Sequence, residues 1–415
     1  DFKGISNLKF VINRQGGVDQ SEGVFKIKNF SINKKSYGDF KFNFLSDSNS
    51  YEYIINSTIK EKDKISFKSQ GKFSFLGEEV NSEIDFIFNN FDLSFLSKLG
   101  KDKIKNITGS ITGEASIKES FFDPKINGSL KLNNTSLYIP YTNTTYKFNN
   151  NSSILLSDEN FEFNNTLFYD SKDLTSGILN GKISHKNFKN WYLDLNIDSQ
   201  RLLVINKLYD EKSFFYGRSF LEGTINLIGP TKNLIIDVAG STAKGTSITI
   251  PWQDSKGLLD TSFIDFMQKD IQNKINNSNA LVFDESLVTG LEMTFNLEVN
   301  KNAELEIVVD QASGSTIKGR GSGKILMETN IDGKFNIWGD FISDEGIYNF
   351  KNLGLIDKKF KLSPGGTIVW DGNPIDAEMN LEAIYQVPGG ANPSILLDNP
   401  NFNKKIPTNV SIKLQ

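Results

Sequence analysis

The sequence predicts an all-β protein, and three observations carry that prediction. Apolar side chains recur at every second position in many short runs, turn-forming residues cluster between those runs, and helical spacing is almost absent. Successive side chains of a strand point to opposite faces, so such runs suit an antiparallel sheet with one dry and one solvated side.

Taken in order, the runs begin with Phe40, Phe42 and Phe44, separated by Lys41 and Asn43. Ile84, Phe86 and Phe88 repeat the rule around Asp85, and Leu193, Leu195 and Ile197 alternate with Asp194 and Asn196. Met293, Phe295, Leu297 and Val299 come next, then Leu305, Ile307 and Val309, then Phe335, Ile337 and Phe341. Last are Met379, Leu381, Ala383 and Tyr385, set between Glu378, Asn380, Glu382 and Gln386. All of these are candidates for the lining of one apolar surface. Turn clusters such as Ser46 to Ser50, Asn149 to Ser153 and Asn300 to Asn302 break the runs and imply on the order of 30 strands.

No Pro-rich or Gly/Ser-rich stretch reads as a linker, so continuity favours one elongated sheet over sandwiches in series. A weak repeat agrees: strand-like runs with alternate glycines end near a proline at Ile139-Pro140 and again at Ile250-Pro251. One segment breaks the alternation. Between Leu258 and Ile275 the apolar residues Leu259, Phe263, Met267 and Ile271 fall three or four apart, behind a cap at Thr261 or Ser262. This predicts a short amphipathic helix that packs on the sheet or caps a groove. Its polar face carries little of the Lys/Arg density of a lipid-seeking helix. The expected organisation is a repetitive β segment over 1–255, a helical insertion over 256–280 and a C-terminal β domain over 281–415.

Of the 415 residues, 38% are hydrophobic, the mean hydropathy is −0.33, and no run of 18 apolar residues occurs. The chain opens at Asp1 with a strand-like pattern and no signal peptide, so it is expected to be part of a longer protein with its membrane anchor elsewhere. Its 46 basic and 50 acidic residues are well mixed, which argues against a nucleic-acid partner. Cysteine is absent, which excludes disulfides and thiolate metal sites. Against that polar background stand 33 Phe and only four Trp. So much Phe in a polar chain has to be gathered on one face.

Little in the sequence points to catalysis. The single histidine, His185, is expected in a polar turn with a structural role, because a triad or a zinc site needs several converging groups. Neighbouring carboxylates such as Glu78-Glu79 and Asp284-Glu285 arise by chance among so many acids. Gly319-Arg320-Gly321-Ser322-Gly323 resembles a phosphate loop only superficially: no Lys-Ser/Thr and no helix follows, so a bulged turn is expected. No enzyme activity, cofactor or metal is expected. What remains is the apolar stripe, which is either a dry core between two sheets or the wall of an open trough. An open wall is costly in water, at about 25 cal/mol per Å², unless a ligand such as an acyl chain covers it.

The tail carries a further signal. Gly346-Ile347-Tyr348-Asn349-Phe350, Gly365-Gly366-Thr367-Ile368-Val369-Trp370, and Gly372-Asn373-Pro374 with Ala377 form a series of turn glycines and aromatics. Together with Gly290 to Met293, Asn302-Ala303-Glu304 and Ile317 to Gly323, this series resembles the C-terminal domain of the TamB family, in a Bacteroidetes-type version. The resemblance marks Gly365, Gly366, Trp370, Gly372, Pro374 and Ala377 as structural signature residues. It implies an AsmA-like, bridge-type lipid transfer protein: an antiparallel β-taco whose hydrophobic groove conducts phospholipid acyl chains. It further implies a periplasmic location in a Gram-negative bacterium, an inner-membrane anchor outside this chain, and docking on an outer-membrane Omp85-type barrel of the TamA or TamL kind. On the order of 30 strands at about 4.8 Å would span around 140 Å, much of an envelope crossing. The competing reading is a chaperone-like assembly factor that holds unfolded barrel strands without lipid flux.

Overall fold

The computed structural model describes residues 2–15, 18–46, 52–76, 79–98, 100, 103–120, 123–209, 215–251, 291–330, 334–352, 356–373, 376–395 and 404–415. Among them lie 24 strands, two short 3₁₀ turns at Ser94–Lys98 and Pro393–Ile395, and no α-helix. The helix expected over 258–275 falls outside the described residues. Contacts divide the chain into two units, Asp1–Leu203 with Thr224–Ile236, and Val204–Gly223 with Asp237–Gln415.

In the first unit β1 (Phe2–Gln15), β2 (Val18–Ile32), β3 (Lys35–Ser46), β4 (Glu52–Glu61), β5 (Lys64–Leu76) and β6 (Glu79–Asp92) form an antiparallel meander. It continues through β7 (Lys105–Lys118) to β8 (Lys125–Ile139). There the next strand is broken in two: β9 (Thr144–Phe148) pairs with the end of β8 and β10 (Ser153–Asp158) with its start. Both halves then pair with β11 (Asn160–Asp170), followed by β12 (Ser176–Lys186) and β13 (Lys189–Lys207).

The bend in these strands has a local chemical cause. Asn29, Asn90, Asn134 and Asn165 adopt left-handed backbone conformations, with φ between 48° and 53°. Asn tolerates that region better than most residues because its short amide bonds locally. Each forms a β-bulge, and the inward-facing positions change parity across it: Phe25 and Ile27 give way to Phe30 and Ile32, and Phe86 and Phe88 to Phe91 and Leu93. The N–H freed from the ladder by each bulge donates to a side chain on the neighbouring segment. Asn29 donates to Asp39 Oδ1 at 3.0 Å and Asn90 to Thr112 Oγ1 at 3.1 Å. Asn134 and Asn165 donate to Asn150 Oδ1 and Asn180 Oδ1, both at 2.7 Å. These kinks recur in β2, β6, β8 and β11. The first core gathers around Ile59, Phe91, Ile111, Leu130, Leu132 and Leu156, with Phe95 and Leu96 of the first 3₁₀ turn packed on it.

The second unit holds β16 (Ser247–Pro251), β17 (Leu291–Val299), β18 (Glu304–Asp310), β19 (Ser315–Thr329) and β20 (Phe335–Asn352). It ends with β21 (Ile356–Leu362), β22 (Thr367–Gly372), β23 (Glu378–Gln386) and β24 (Asn409–Leu414), while β13, β14 (Tyr216–Pro230) and β15 (Leu234–Thr242) contribute to both units. The broken-strand device recurs. β17 and β18 share one edge of β19, and β21 and β22 share one edge of β20 before both meet β23. β16 departs from the antiparallel rule: it runs parallel to β18, Ser247 beside Glu304 through Pro251 beside Val308.

Candidate functional site

Cross-strand register converts the alternating runs into rows that cross the strands, because directly paired residues project from the same side of a sheet. In the first unit one row runs Ile27, Phe40, Ile59, Phe67, Phe88, Gly113, Leu130, Ile154, Phe163, Gly181, Leu195. Beside it runs Leu8, Phe25, Phe42, Ser57, Ser69, Phe86, Ala115, Gly128, Leu156, Phe161, Ile183, Leu193. A third contains Phe10, Gly23, Phe44, Ile55, Gly71, Ile84, Ile117 and Ile126. Ile197 faces the buried Leu179 in the same sense.

The second unit is built alike. Phe295, Met327 and Ile337 form one row, Leu297, Ile325, Gly339 and Trp370 another, and Val299, Gly323, Phe341, Ile368 and Met379 a third. Leu305 faces Gly319, Ile307 faces Ile317 and then Tyr348 and Phe360, and Leu381, Ala383 and Tyr385 face Leu414, Ile412 and Val410. Met293 and Phe335 both stand opposite Thr329, and Val309 packs on the same core. The structure thus places every alternating residue singled out in the sequence on the apolar side of its own unit.

Sequence reasoning missed many residues on these faces. Ile59, Phe67, Leu130, Leu156, Phe163, Ile325, Phe360 and Leu362 belong to them; most lie in runs of the same period, whereas Leu156 and Ile325 sit in the unbroken apolar stretches Ile154–Leu156 and Ile325–Met327, where alternation gives no face. The Asn kinks were also legible, as slips in the phase of alternation at Asn29, Asn90 and Asn165.

These faces are graded in exposure. Ile55, Ile59, Ile84, Leu156, Met293, Ile307 and Leu381 are buried, whereas Phe40, Phe42, Phe44, Phe86, Phe88, Phe295 and Leu297 are only half-buried. On β1 the row members Leu8 and Phe10 are 66% and 51% exposed, and Ile12, two positions further along the strand, is 59% exposed. Rings form an almost continuous band: Phe30 to Tyr37 at 6.3 Å, Tyr37 to Phe91 at 5.5 Å and Phe91 to Phe67 at 5.7 Å. The buried hydroxyls Ser57 and Ser69 satisfy each other at 2.7 Å, whereas the buried Thr329 Oγ1 finds no partner among the described residues. The rows carry no charged side chain. Lys358 stands at the margin of the second face, its Nζ 5.5 Å from the Tyr385 ring centroid.

Hydrogen-bonded networks hold the kinked strands. The Tyr37 hydroxyl donates to the Asp92 carbonyl at 3.3 Å, and Lys35 Nζ lies 3.0 Å from Asp92 Oδ2. Burial pushes the Tyr37 phenol up. At the β11–β12 turn the fully buried Asp170 accepts from the N–H groups of Lys172, Asp173 and Thr175 and from the Thr175 hydroxyl. Burial would raise this carboxyl, but those bonds outweigh it and hold it below the usual carboxylate range.

His185 corrects an expectation. It lies in β12 at 3% exposure, not in a polar turn, because Gly181, Ile183 and His185 share the apolar side of that strand. Its ring stacks on Phe188 at 4.4 Å and meets Trp191 at 5.1 Å and Phe161 at 5.5 Å, while Nδ1 accepts the Phe188 N–H at 3.2 Å. Burial lowers its pKa.

The Gly319–Gly323 stretch also differs from the bulged turn expected. It lies inside β19, with a register slip between Arg320 and Gly321. A Cβ on Gly321 or Gly323 would collide with the Ile342 or Asp340 carbonyl oxygen, so the close approach of β20 requires glycine there. Opposite, the Ser363–Gly366 turn joins β21 to β22: the Ser343 N–H donates to Gly366 O at 2.8 Å and the Gly365 N–H donates to Ser343 O at 2.7 Å. Gly365 has a φ of 89°, which explains one signature glycine. Trp370 is buried opposite Gly339, Ala377 packs on the core, and Gly372, with a φ of 105°, lies under the Trp338 ring. Pro374 lies outside the described residues.

Among the described residues no three His, Asp or Glu side chains converge to hold a metal ion, and no helix is long and apolar enough to cross a membrane. No curated protein and no solved structure matches the chain. The model of the TamB C-terminal domain matches residues 165–415, more than half of the chain and all of β12 to β24. With its kinked antiparallel strands and signature glycines accounted for, this chain belongs to the TamB family.

Proposed function

We propose that the apolar faces are lipid-bearing walls of a groove protein that conducts phospholipid acyl chains between the inner and outer membranes. The TamB family is a cell-envelope family linked to outer-membrane assembly and lipid transport, which sets the context. The observation that carries the reading is the graded exposure of charge-free rows of Phe, Leu and Ile that cross strand after strand. A closed core would leave only its rim open, whereas here half-buried residues such as Phe42, Phe86 and Phe295 recur within the rows. A surface that hosts alkyl chains leaves half of each flank open, and each methylene seated there contributes about 0.8 kcal/mol. In this reading the lining residues are those singled out from the sequence, from Phe40 to Tyr385. The work is passive positioning, with no reaction catalysed by the chain.

The same reading places the protein in the periplasm of a Gram-negative cell, anchored in the inner membrane by a segment outside this chain. An Omp85-type outer-membrane barrel of the TamA or TamL kind is its partner, met by strand addition at a sheet edge. Native mass spectrometry of the purified chain tests the central claim. Co-purifying phospholipid supports it, bound unfolded peptide favours the chaperone-like alternative, and a chain that stays empty in the presence of vesicles rejects both.

A further inference from the structure

The hairpin that joins β12 to β13 is built against the usual chemistry of such turns. Lys186 pairs with Lys189, so Asn187 and Phe188 are its two central residues, and both are left-handed, with φ of 52° and 55°. Glycine is favoured at the second of these positions, and a phenylalanine there is strained. Two contacts from one side chain hold it. His185 Nδ1 accepts the Phe188 N–H at 3.2 Å, and the two rings stack at 4.4 Å. Trp191 and Phe161 pack on the same imidazole and meet each other at 5.9 Å. Both belong to the apolar side, since Phe161 pairs with Ile183 and Trp191 alternates with Leu193. An accepting Nδ1 means a neutral ring with its proton on Nε2, and that buried atom has no partner among the described residues.

A protonated imidazole has two donors and no acceptor. Its Nδ1–H would then face the Phe188 N–H, and the bond that offsets the strain would be gone. We infer that His185 is a pH-sensitive latch. Neutral, it holds the Asn187–Phe188 turn closed over the margin of the apolar face; protonated, it releases the turn and bares Trp191 and Phe161. The charged neighbours leave this sense unchanged. Glu159, beside Asp158 in the β10–β11 turn, accepts the His185 N–H on its carbonyl at 2.9 Å. Its carboxylate favours a charged ring but is bonded to Lys186 Nζ at 2.8 Å, which Asp123 also holds at 2.9 Å. Lys189 opposes Lys186, and Lys232 lies in the turn whose Thr231 N–H bonds the Trp191 carbonyl. Burial outweighs Glu159 and keeps the histidine below its ordinary value, so opening sets in as pH falls below about 6.5. The latch stands independently of what the apolar face carries.

Hydrogen–deuterium exchange of the full chain, corrected for the intrinsic pH dependence of exchange, tests this at about pH 7.5 and about pH 5. Protection of the Phe188 amide should fall about five- to tenfold at the lower pH, while peptides from β7 and β8 keep theirs. His185→Asn places an amide oxygen where Nδ1 stands and does not titrate, so its protection should be equal at both values. His185→Leu, with no acceptor, should be poorly protected at both. Unchanged protection in the parent chain would overturn the proposal. So would an equal fall in β7 and β8, which would mean general unfolding, or a fall in His185→Asn matching that of the parent, which would assign the opening to another group.

Discussion

The rings of Tyr37 and Phe91 meet at a tilt with their centroids 5.5 Å apart, although β4 and β5 lie between their strands. A flat sheet holds strands three places apart near 14 Å, at about 4.8 Å per step, so this contact exists because the sheet bends sharply. The bend comes from the bulges at Gly38 and Asn90, which turn both rings inward. Replacing Phe91 with Ala should cost about 3–4 kcal/mol, since it removes a ring that also touches Phe67, Phe88 and Phe95. Tyr37→Phe, which loses the hydroxyl's bonds to Asp92 and Ser94, should cost about 1 kcal/mol. Urea midpoints of the two variants would show the ranking, and a reversed order would contradict the packing described.

The kinks themselves can be tested at Asn165. A β-branched residue is strained in the left-handed region, so Asn165→Val should lose about 2 kcal/mol or more. Asn165→Gly, free to adopt the same φ, should stay within about 1 kcal/mol of the parent. Equal losses in thermal or chemical denaturation would mean that the asparagine acts through its side chain and not through the backbone.

Exposure separates the two kinds of residue on the apolar face. Met293 is 2% exposed and Phe295, two positions along the same strand, is half-buried. Met293→Asp buries an unpaired carboxylate and should unfold the second unit. Phe295→Asp should leave circular dichroism unchanged while lowering lipid retention severalfold. Unfolding by both substitutions would indicate a closed core and remove the basis for a conducting face.

The pH response has two windows with one sign. His185 has its pKa lowered by burial, so it contributes stability above the free value near 6.5, and that contribution is lost as pH falls below it. Asp170, held below 3.8 by its hydrogen bonds against burial, contributes stability above that value and loses it at lower pH. Melting temperatures between pH 7.5 and 3 should therefore fall in two steps. His185→Leu should flatten the first and Asp170→Asn the second. An unchanged first step in the histidine variant would assign that window to another group.

How much of this was legible can be judged from single residues. Phe295 and Leu297 were readable because alternation with Thr294 and Asn296 fixes their side of a strand wherever that strand goes. His185 was misread, since its neighbours Ser184, Lys186 and Asn187 are polar and only Ile183 hints at the face it shares. The phase slips at Asn29, Asn90 and Asn165 were visible, but a slip in isolation looks like the end of a run. Pairing partners show that it is a kink within one.

By itself the sequence determined the β class, the apolar face and the family, because side-chain period and turn chemistry are local properties of the chain. Only the tertiary structure decided which runs lie side by side, where the strands bend, and that Ser343 bonds the Gly365–Gly366 turn. Those facts depend on register between segments far apart in the chain, and a two-residue period is satisfied equally well by many registers.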